Sequence, residues 1–555
     1  MSFTSHIDGF AREHLPPPGL LPEFLFDLPE LQFPAQLNVA SELLDRWVDA
    51  GQGDRPCLRG QGIVWTYAQL QREANQIAHV LVQDLGLVPG NRVLLRGANS
   101  PRLAACWFAV VKAGAIAVGS MPLLRAGELT QIVHKAEVSH ALCDARLAGE
   151  LSLARSQCPT LRQVLHFNSA APGELDARAA SKPAHFASVA TSKDDTCIIA
   201  FTSGTTGQPK GTMHFHRDLM AACACWPRHV LRPEPHDVFI GSPPLAFTFG
   251  LGGLLLFPMA VGASSVLLER ATPDALPAAI AQYHATICVT APTSYRAMAP
   301  QLQGHDISSL RKCVSAGEAL PAATRELWKQ ACGIDIIDGI GSTEMLHIFI
   351  SHDEAHAKPG ATGTPVPGYQ ACVLDEAGQA LPAGVVGRLA VKGPTGCRYL
   401  TVPGDERQRE YVQNGWNLTG DAYLIDADGY FVFQARTDDM IVSGGYNIAG
   451  PEVEAALLLH PGVAECGVIG VADAQRGQIV KAFVVLRPGT GASPELAREL
   501  QDHVKQAIAP YKYPRAIEFR ETLPRTETGK LQRFRLREPA PNAQVFAAAA
   551  PGAVQ

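Results

Sequence analysis

Residues 201–216 read FTSGTTGQPKGTMHFH. The ten positions from Thr202 to Gly211 hold three glycines, four hydroxyl residues and one lysine. Glycine-exposed backbone N–H groups, hydroxyls and a cation together can wrap a polyphosphate by many short, charge-assisted bonds. The spacing is not that of the P-loop G-x-x-x-x-G-K-[ST], because five residues after Gly204 stands Pro209 and five after Gly207 stands Thr212. The residues just before, 197–201 (CIIAF), read as a buried strand feeding the loop. Loops beyond the carboxyl ends of strands are where open α/β sheets gather ligands.

Outward from this loop, short apolar and β-branched runs precede glycine or proline turns and helix-like stretches, as in RVLLRGANSPRLAACWFAVVKAG and KCVSAGEALPAATRELWKQA. That alternation predicts an α/β protein with mainly parallel sheets flanked by helices. From Gly360 the texture becomes hairpin-like, in VLDEAGQALPAGVVGRLAVKG and DAYLIDADGYFVFQART, which predicts a small β-subdomain. After Asp438 come a glycine-rich SGGYN, a helix from near Pro451, strands around VAECGVIGV and KAFVVL, and a helix over 494–508, a compact α+β unit. The expected division is a large domain over 1–437, a smaller one over 438–538, and a disordered Ala- and Pro-rich tail over 539–555.

A chain of 555 residues is long enough for two or more cores. Its net charge of -6, with no run of Lys and Arg, argues against nucleic acid or an anionic membrane surface as a partner. Thirteen cysteines lack paired spacing, and Cys223 and Cys225 fit neither a redox nor a zinc pattern, so a reducing, cytoplasmic home is expected. The N-terminal residues have no apolar signal core. Residues 243–268 are uncharged, but Pro258 and four glycines divide them, so the stretch reads as loop, buried helix and buried strand rather than a bilayer span.

The full string from Thr202 to Gly211 resembles the phosphate loop of the adenylate-forming superfamily, which includes acyl- and aryl-CoA synthetases. Further strings follow in that family's order. SAGEAL (315–320) resembles the turn whose backbone reads adenine, through Ala316, Gly317 and Glu318. DGIGSTEMLHIF (338–349) resembles the strand and loop holding adenine, the α-phosphate and magnesium, with Asp338, Gly339 and Ile340 at the base and Thr343 and Glu344 as the matching catalytic residues. Asp421 in NLTGDAY matches the carboxylate that takes the ribose hydroxyls, Arg436 in ARTDDMI its partner, and Lys530 in LPRTETGKLQR the catalytic lysine. Each residue alone would also serve an ordinary turn, helix start or surface; in family order the strings support one another.

The resemblance implies ATP, Mg²⁺ and CoA as reactants. Thr202, Ser203, Gly204, Thr205, Thr206, Gly207 and Lys210 would hold the phosphates, Glu344 the metal, and Lys530 the reacting carboxylate and α-phosphate. It further implies a C-terminal domain that turns about a hinge at Asp438, bringing Gly444 and Gly445 to a tunnel for the CoA thiol. Two departures stand out: Ile340 where many relatives stack an aromatic on adenine, and Ala435 where they have glycine.

The acid pocket implied by the family is lined by 246–253 (AFTFGLGG) and 341–349. There Phe247 and Phe249 offer flat walls, Gly250 and Gly252 leave room for a planar ring, and His347 could hydrogen-bond a ring substituent or the carboxylate, with Thr248 and Gly341 completing the pocket candidates. IGSTEMLHIF, SAGEALP, APYKYPR, FGLGG and TGKLQRF are similar to benzoate-CoA ligases. The N-terminal LPEFLFDLPELQFP and LNVASELLDR look most like 2-aminobenzoate-CoA ligases. The expectation is a small aromatic acid, 2-aminobenzoate ranked just ahead of benzoate, with a homodimer left open. An enzyme that loads a carrier protein and a silent nucleotide sensor are the alternatives; the sensor is disfavoured because Lys530 and Glu344 are both present.

Overall fold

The computed structural model describes residues 3–60, 62–202, 209–401, 406–436, 439–443, 446–473, 476–525, 531–538 and 544–547. Two sheets dominate the large domain. The first has six strands in the order Gln163–Phe167, His140–Asp144, Arg92–Arg96, Ile116–Ser120, Thr196–Thr202 (β1) and Lys210–Phe215 (β2), all parallel except the β1–β2 pair. The second has nine strands, and the run from Ile336–Gly341 (β3) through Lys312–Ser315, Ile287–Thr290, Val238–Gly241 and Ser264–Val266 to Pro56–Gly60 is parallel. Ile348–Ser351 (β4) returns antiparallel beside β3.

The sheets are joined through shared apolar burial. Helix Pro101–Lys112 starts on a Ser100 cap that accepts from the Leu103 amide at 3.2 Å, with Pro101 preset for the first turn. Its Ala104, Trp107, Phe108 and Val111 fall in one core with Val93 and Leu95 of the first sheet and Phe239 and Val289 of the second. Burying each large apolar side chain there contributes roughly 1.5–3 kcal/mol. Residues 243–268 behave as the composition dictated: a loop, helical turns from Thr248 to Ala260 with a wider turn over Gly252–Leu256, then strand Ser264–Val266. No helix among the described residues is long and apolar enough to cross a membrane.

The β-subdomain is a five-stranded antiparallel sheet in which Trp416–Ile425 (β5) pairs with Phe431–Arg436 (β6). The smaller C-terminal domain has its own core under a sheet that includes Val463–Asp473 and Gly477–Leu486, covered by helices Gly450–Leu458 and Pro494–Ala507. Thus the α/β class and the large-plus-small division hold. The expected boundary at 437/438 falls outside the described residues.

One expectation needs correcting. Within the supposedly disordered tail, Gln544–Ala547 forms a strand antiparallel to Ala516–Phe519. The reason is Phe546, whose ring lies 5.7 Å from that of Phe519, an apolar anchor in a segment otherwise too poor in large side chains to order itself.

Candidate active site

β1 and β2 form a hairpin, and Thr202 pairs directly with Lys210 at its mouth. The pairing pins both ends of the glycine-rich loop; Ser203, Gly204, Thr205, Thr206 and Gly207 themselves lie outside the described residues. A segment from the β-subdomain extends the hairpin edge. The Met213 amide donates to the Arg398 carbonyl and the Leu400 amide to the Gly211 carbonyl, both at 2.8 Å, so Tyr399 comes to lie opposite Thr212. The Tyr399 hydroxyl donates to Glu344 Oε1 at 2.5 Å, and the Lys210 ammonium stands 5.7 Å from the centre of its ring.

The turn carrying Thr343 and Glu344 is held from the same strand. His214 Nε2 donates to the Thr343 carbonyl at 2.8 Å. Burial pushes the His214 imidazole down to about 4, so the ring is neutral and carries its proton on the donating nitrogen. Behind it Arg398 pairs with Asp218 at 2.6 Å, and its guanidinium is sandwiched between the rings of Phe24 and Phe215 at 4.2 and 4.0 Å. Tyr399, His214, Asp218 and Arg398 escaped the sequence reading. Their partners lie 55 to 180 residues away, and nothing local in RYL or MHFH marks them.

The adenine and ribose candidates assemble on adjoining strand ends. Ser315 is in register with Asp338 across parallel strands, so Ala316, Gly317 and Glu318 emerge beside β3. Gly317 has φ +88°, a conformation that suits glycine. Glu318 accepts from Thr293 Oγ1 at 3.0 Å and lies 3.8 Å from Arg525 of the smaller domain. Burial pushes the Asp338 carboxyl up to about 7, and its Oδ1 has no partner among the described residues. Gly339 follows it, with the Ile348 side chain 2.8 Å from where a Cβ would stand, and Ile340 is half-buried against the main core. Asp421 and Arg436 face one another across β5 and β6 with Oδ1 and Nη1 3.1 Å apart. Gly420 sits at φ +76°, a conformation that suits glycine, with Arg436 Nη2 2.9 Å from where a Cβ would stand.

The acid-pocket residues are only partly as expected. Phe249 and His347 meet, with rings 5.6 Å apart, and Trp226 and Phe257 complete the enclosure at 5.8 and 4.4 Å from His347. Thr248 is buried, while Phe247 is half-buried and makes no ring contact among the described residues. The glycines do not leave space for a ring. A Cβ on Gly250 would lie 2.1 Å from the Pro244 carbonyl oxygen, one on Gly252 2.4 Å from His347 Cδ2, and one on Gly341 2.6 Å from the His347 carbonyl oxygen. They are small because helix, loop and turn backbones press together there.

His347 follows Leu346, which is held at φ 69°, an uncommon conformation for a branched side chain. Burial pushes the His347 imidazole down to about 3, so it is neutral. Its Nε2 donates to the Phe249 carbonyl over a long 3.4 Å, and Nδ1 has no partner among the described residues.

Lys530, Asp438, Gly444 and Gly445 lie outside the described residues. No group of three metal-ligating side chains occurs among the described ones, so the residues present do not form a closed protein cage. A single carboxylate, Glu344, with Oε2 unpartnered among the described residues, does fit a hydrated Mg²⁺ that arrives on substrate phosphates.

The AMP-binding enzyme model matches residues 44–399, well over half of the chain, and the AMP-binding enzyme C-terminal domain model matches 452–530. The chain belongs to the AMP-binding enzyme family of acid–thiol ligases. It is 36% identical to the benzoate–CoA ligase of Thauera aromatica over 514 residues, which cover 92% of this chain and 97% of that protein. Among solved structures it is similar to the anthranilate CoA ligase AuaEII in complex with anthranoyl-AMP, with TM-score 0.87, 36% identity, and 92% and 98% of the two chains covered. It also matches a benzoate CoA ligase from Burkholderia xenovorans LB400, with TM-score 0.83, 32% identity, and 90% and 100% covered.

Proposed function

We propose that the protein activates a small aromatic carboxylic acid with ATP as an acyl-adenylate and then transfers the acyl group to CoA, releasing AMP and pyrophosphate. The observation that carries this reading is the convergence on Tyr399. Its side chain joins Lys210, at the root of the phosphate loop, to Glu344, and three residues beyond Glu344 stands His347 in an aromatic enclosure. Phosphates and a flat apolar acid would thereby meet along one turn.

A free carboxylate is a poor acyl donor because oxide would have to leave. Attack of its oxygen on the α-phosphorus expels pyrophosphate and leaves AMP as the next leaving group; the CoA sulfur then attacks the carbonyl carbon and the bond to AMP breaks. Charge builds on phosphate oxygens in the first step, so cations aimed there matter most. In this reading Lys530 lies between the acid and the α-phosphate, and residues 202–210 hold the β- and γ-phosphates. Glu344, with Thr343 beside it, holds Mg²⁺, which neutralises phosphate charge when bound. Asp421 and Arg436 take the ribose. Asp338, whose enclosed carboxyl titrates near neutrality, can both accept from and donate to the polar edge of adenine. The domain boundary at 438, the hinge there, and the passage of the thiol by Gly444 and Gly445 belong to the same proposal.

2-Aminobenzoate ranks ahead of benzoate. The order rests on the N-terminal strings LPEFLFDLPELQFP and LNVASELLDR; His347 does not choose between the two acids, because benzoate ligases carry the same IGSTEMLHIF string. The similarity to the anthranilate ligase structure supports the same order.

The test is CoA-dependent AMP release with benzoate, 2-aminobenzoate, hydroxybenzoates, cinnamates and C4 to C10 fatty acids. The expected maximum of kcat/KM is at 2-aminobenzoate. A fatty acid or cinnamate at the top refutes the aryl pocket, and absence of thioester with free CoA refutes the second half-reaction.

A further inference from the structure

Within that reading two charged groups must meet the same polyphosphate from different parts of the chain. Lys210 is on β2 of the first sheet; Glu344 is in the turn between β3 and β4 of the second. Tyr399 is the side chain in contact with both. Its backbone is fixed twice, by lying opposite Thr212 on the hairpin edge and by donating its amide to Gln408 Oε1 at 2.9 Å. Lys210 and Thr212 are two residues apart on one face of β2, so Lys210 is a diagonal neighbour of the Tyr399 ring.

Tyr411 packs against the same ring, its centroid 5.7 Å away at an interplanar angle of 74°. The Tyr411 hydroxyl in turn lies 3.3 Å from Ser342 Oγ, two residues before Glu344. Tyr399 is 3% exposed, so little water competes for its hydroxyl.

We propose that Tyr399 is a positioning residue that fixes the spacing between the two charged groups facing the polyphosphate, holding Glu344 by its hydroxyl and Lys210 by the edge and face of its ring. A flat, two-torsion side chain anchored at both backbone sides is a stiffer spacer than either long charged side chain. The hydroxyl bond orients one carboxylate oxygen and leaves the other toward the metal-bearing phosphates. The proposal rests on the reading of Glu344 and residues 202–210 given above.

The experiment measures ATP binding by calorimetry to the full chain, with Mg²⁺ and with EDTA, for wild type, Tyr399→Phe and Tyr399→Leu, with thermal unfolding of each as a control. Tyr399→Phe keeps the ring beside Lys210 and loses only the bond to a charged acceptor. Its ATP affinity should fall about 10-fold or more in Mg²⁺ and stay unchanged in EDTA. In pyrophosphate exchange the same variant should need a higher Mg²⁺ concentration and be restored by it. Tyr399→Leu should lose affinity in EDTA as well, because Lys210 is then released.

Equal losses in Mg²⁺ and EDTA for Tyr399→Phe, or no loss in either, overturn the positioning role while leaving the ligase reading intact. A wild-type chain whose ATP affinity gains nothing from Mg²⁺ overturns the role of Glu344 and this proposal with it.

Discussion

Replacing Asp421 by Ala removes the carboxylate proposed to take both ribose hydroxyls. Asp421 is 9% exposed, so water replaces little of what is lost. A hydrogen bond to a charged group contributes about 1.5–3 kcal/mol, and two of them give roughly 3–6 kcal/mol, or a loss of about 10² to 10⁴ in ATP affinity. The structural cost is smaller. The ion pair with Arg436 is 3.1 Å long, but the arginine side chain is 38% exposed. Such partly solvated pairs contribute ~1 kcal/mol or less to folding. Asp421→Ala should therefore shift the thermal midpoint by no more than a few degrees while ATP binding, followed by calorimetry or by KM in pyrophosphate exchange, collapses. AMP binding should fall by the same factor as ATP, since both carry the ribose. A loss below about 5-fold, or a loss for ATP without one for AMP, refutes the ribose assignment.

Lys530→Ala should cut adenylation by about 10² to 10³ or more, the usual cost of losing a charge aimed at a transition state, and leave thioester formation from a supplied acyl-adenylate largely intact; equal losses in both half-reactions refute the two-orientation account. Gly250→Ala places a methyl group 2.1 Å from the Pro244 carbonyl oxygen, and should destabilise the protein by ~1–3 kcal/mol or more in thermal or urea unfolding; a chain as stable as wild type would mean that the helix and loop are not packed as described. Stability should also fall as pH drops below 6.5, because burial depresses His214 to about 4 and His216 and His347 to about 3, so the unfolded chain takes up protons that the folded chain refuses. Asp338, raised to about 7, works oppositely: its contribution is complete below its unfolded value of 3.8 and is lost as pH rises through 7. His6, His140 and His352, also lowered by burial, act with these three, so the histidines outweigh Asp338 and the thermal midpoint should fall between pH 6 and 4. A thermal midpoint that stays level from pH 6.5 to 4.5 counters this, and His347→Phe should make the decline shallower.

Sequence alone determined what local chemistry can specify. The glycine- and hydroxyl-rich loop after a buried β-branched run, the uncharged stretch broken by Pro258, and the hairpin texture of DAYLIDADGYFVFQART are readable, because turn residues and strand patterns act over a few positions, whereas the register that sets Asp421 opposite Arg436 comes from the structure. Tertiary structure decided what depends on packing. Gly250 and Gly252 looked like space for a substrate ring, but whether a missing Cβ leaves a gap or admits a neighbouring backbone depends on elements brought there by the fold, and here the Pro244 carbonyl and the His347 ring fill it. Phe546 orders part of a tail whose composition argued for disorder, since one aromatic contact with Phe519 outweighs what the surrounding alanines cannot supply. Tyr399 carried no signal at all: its value lies in standing beside Lys210 and Glu344, residues 189 and 55 positions away, and only the closing of two sheets and a subdomain around one turn puts a phenol within 2.5 Å of that carboxylate.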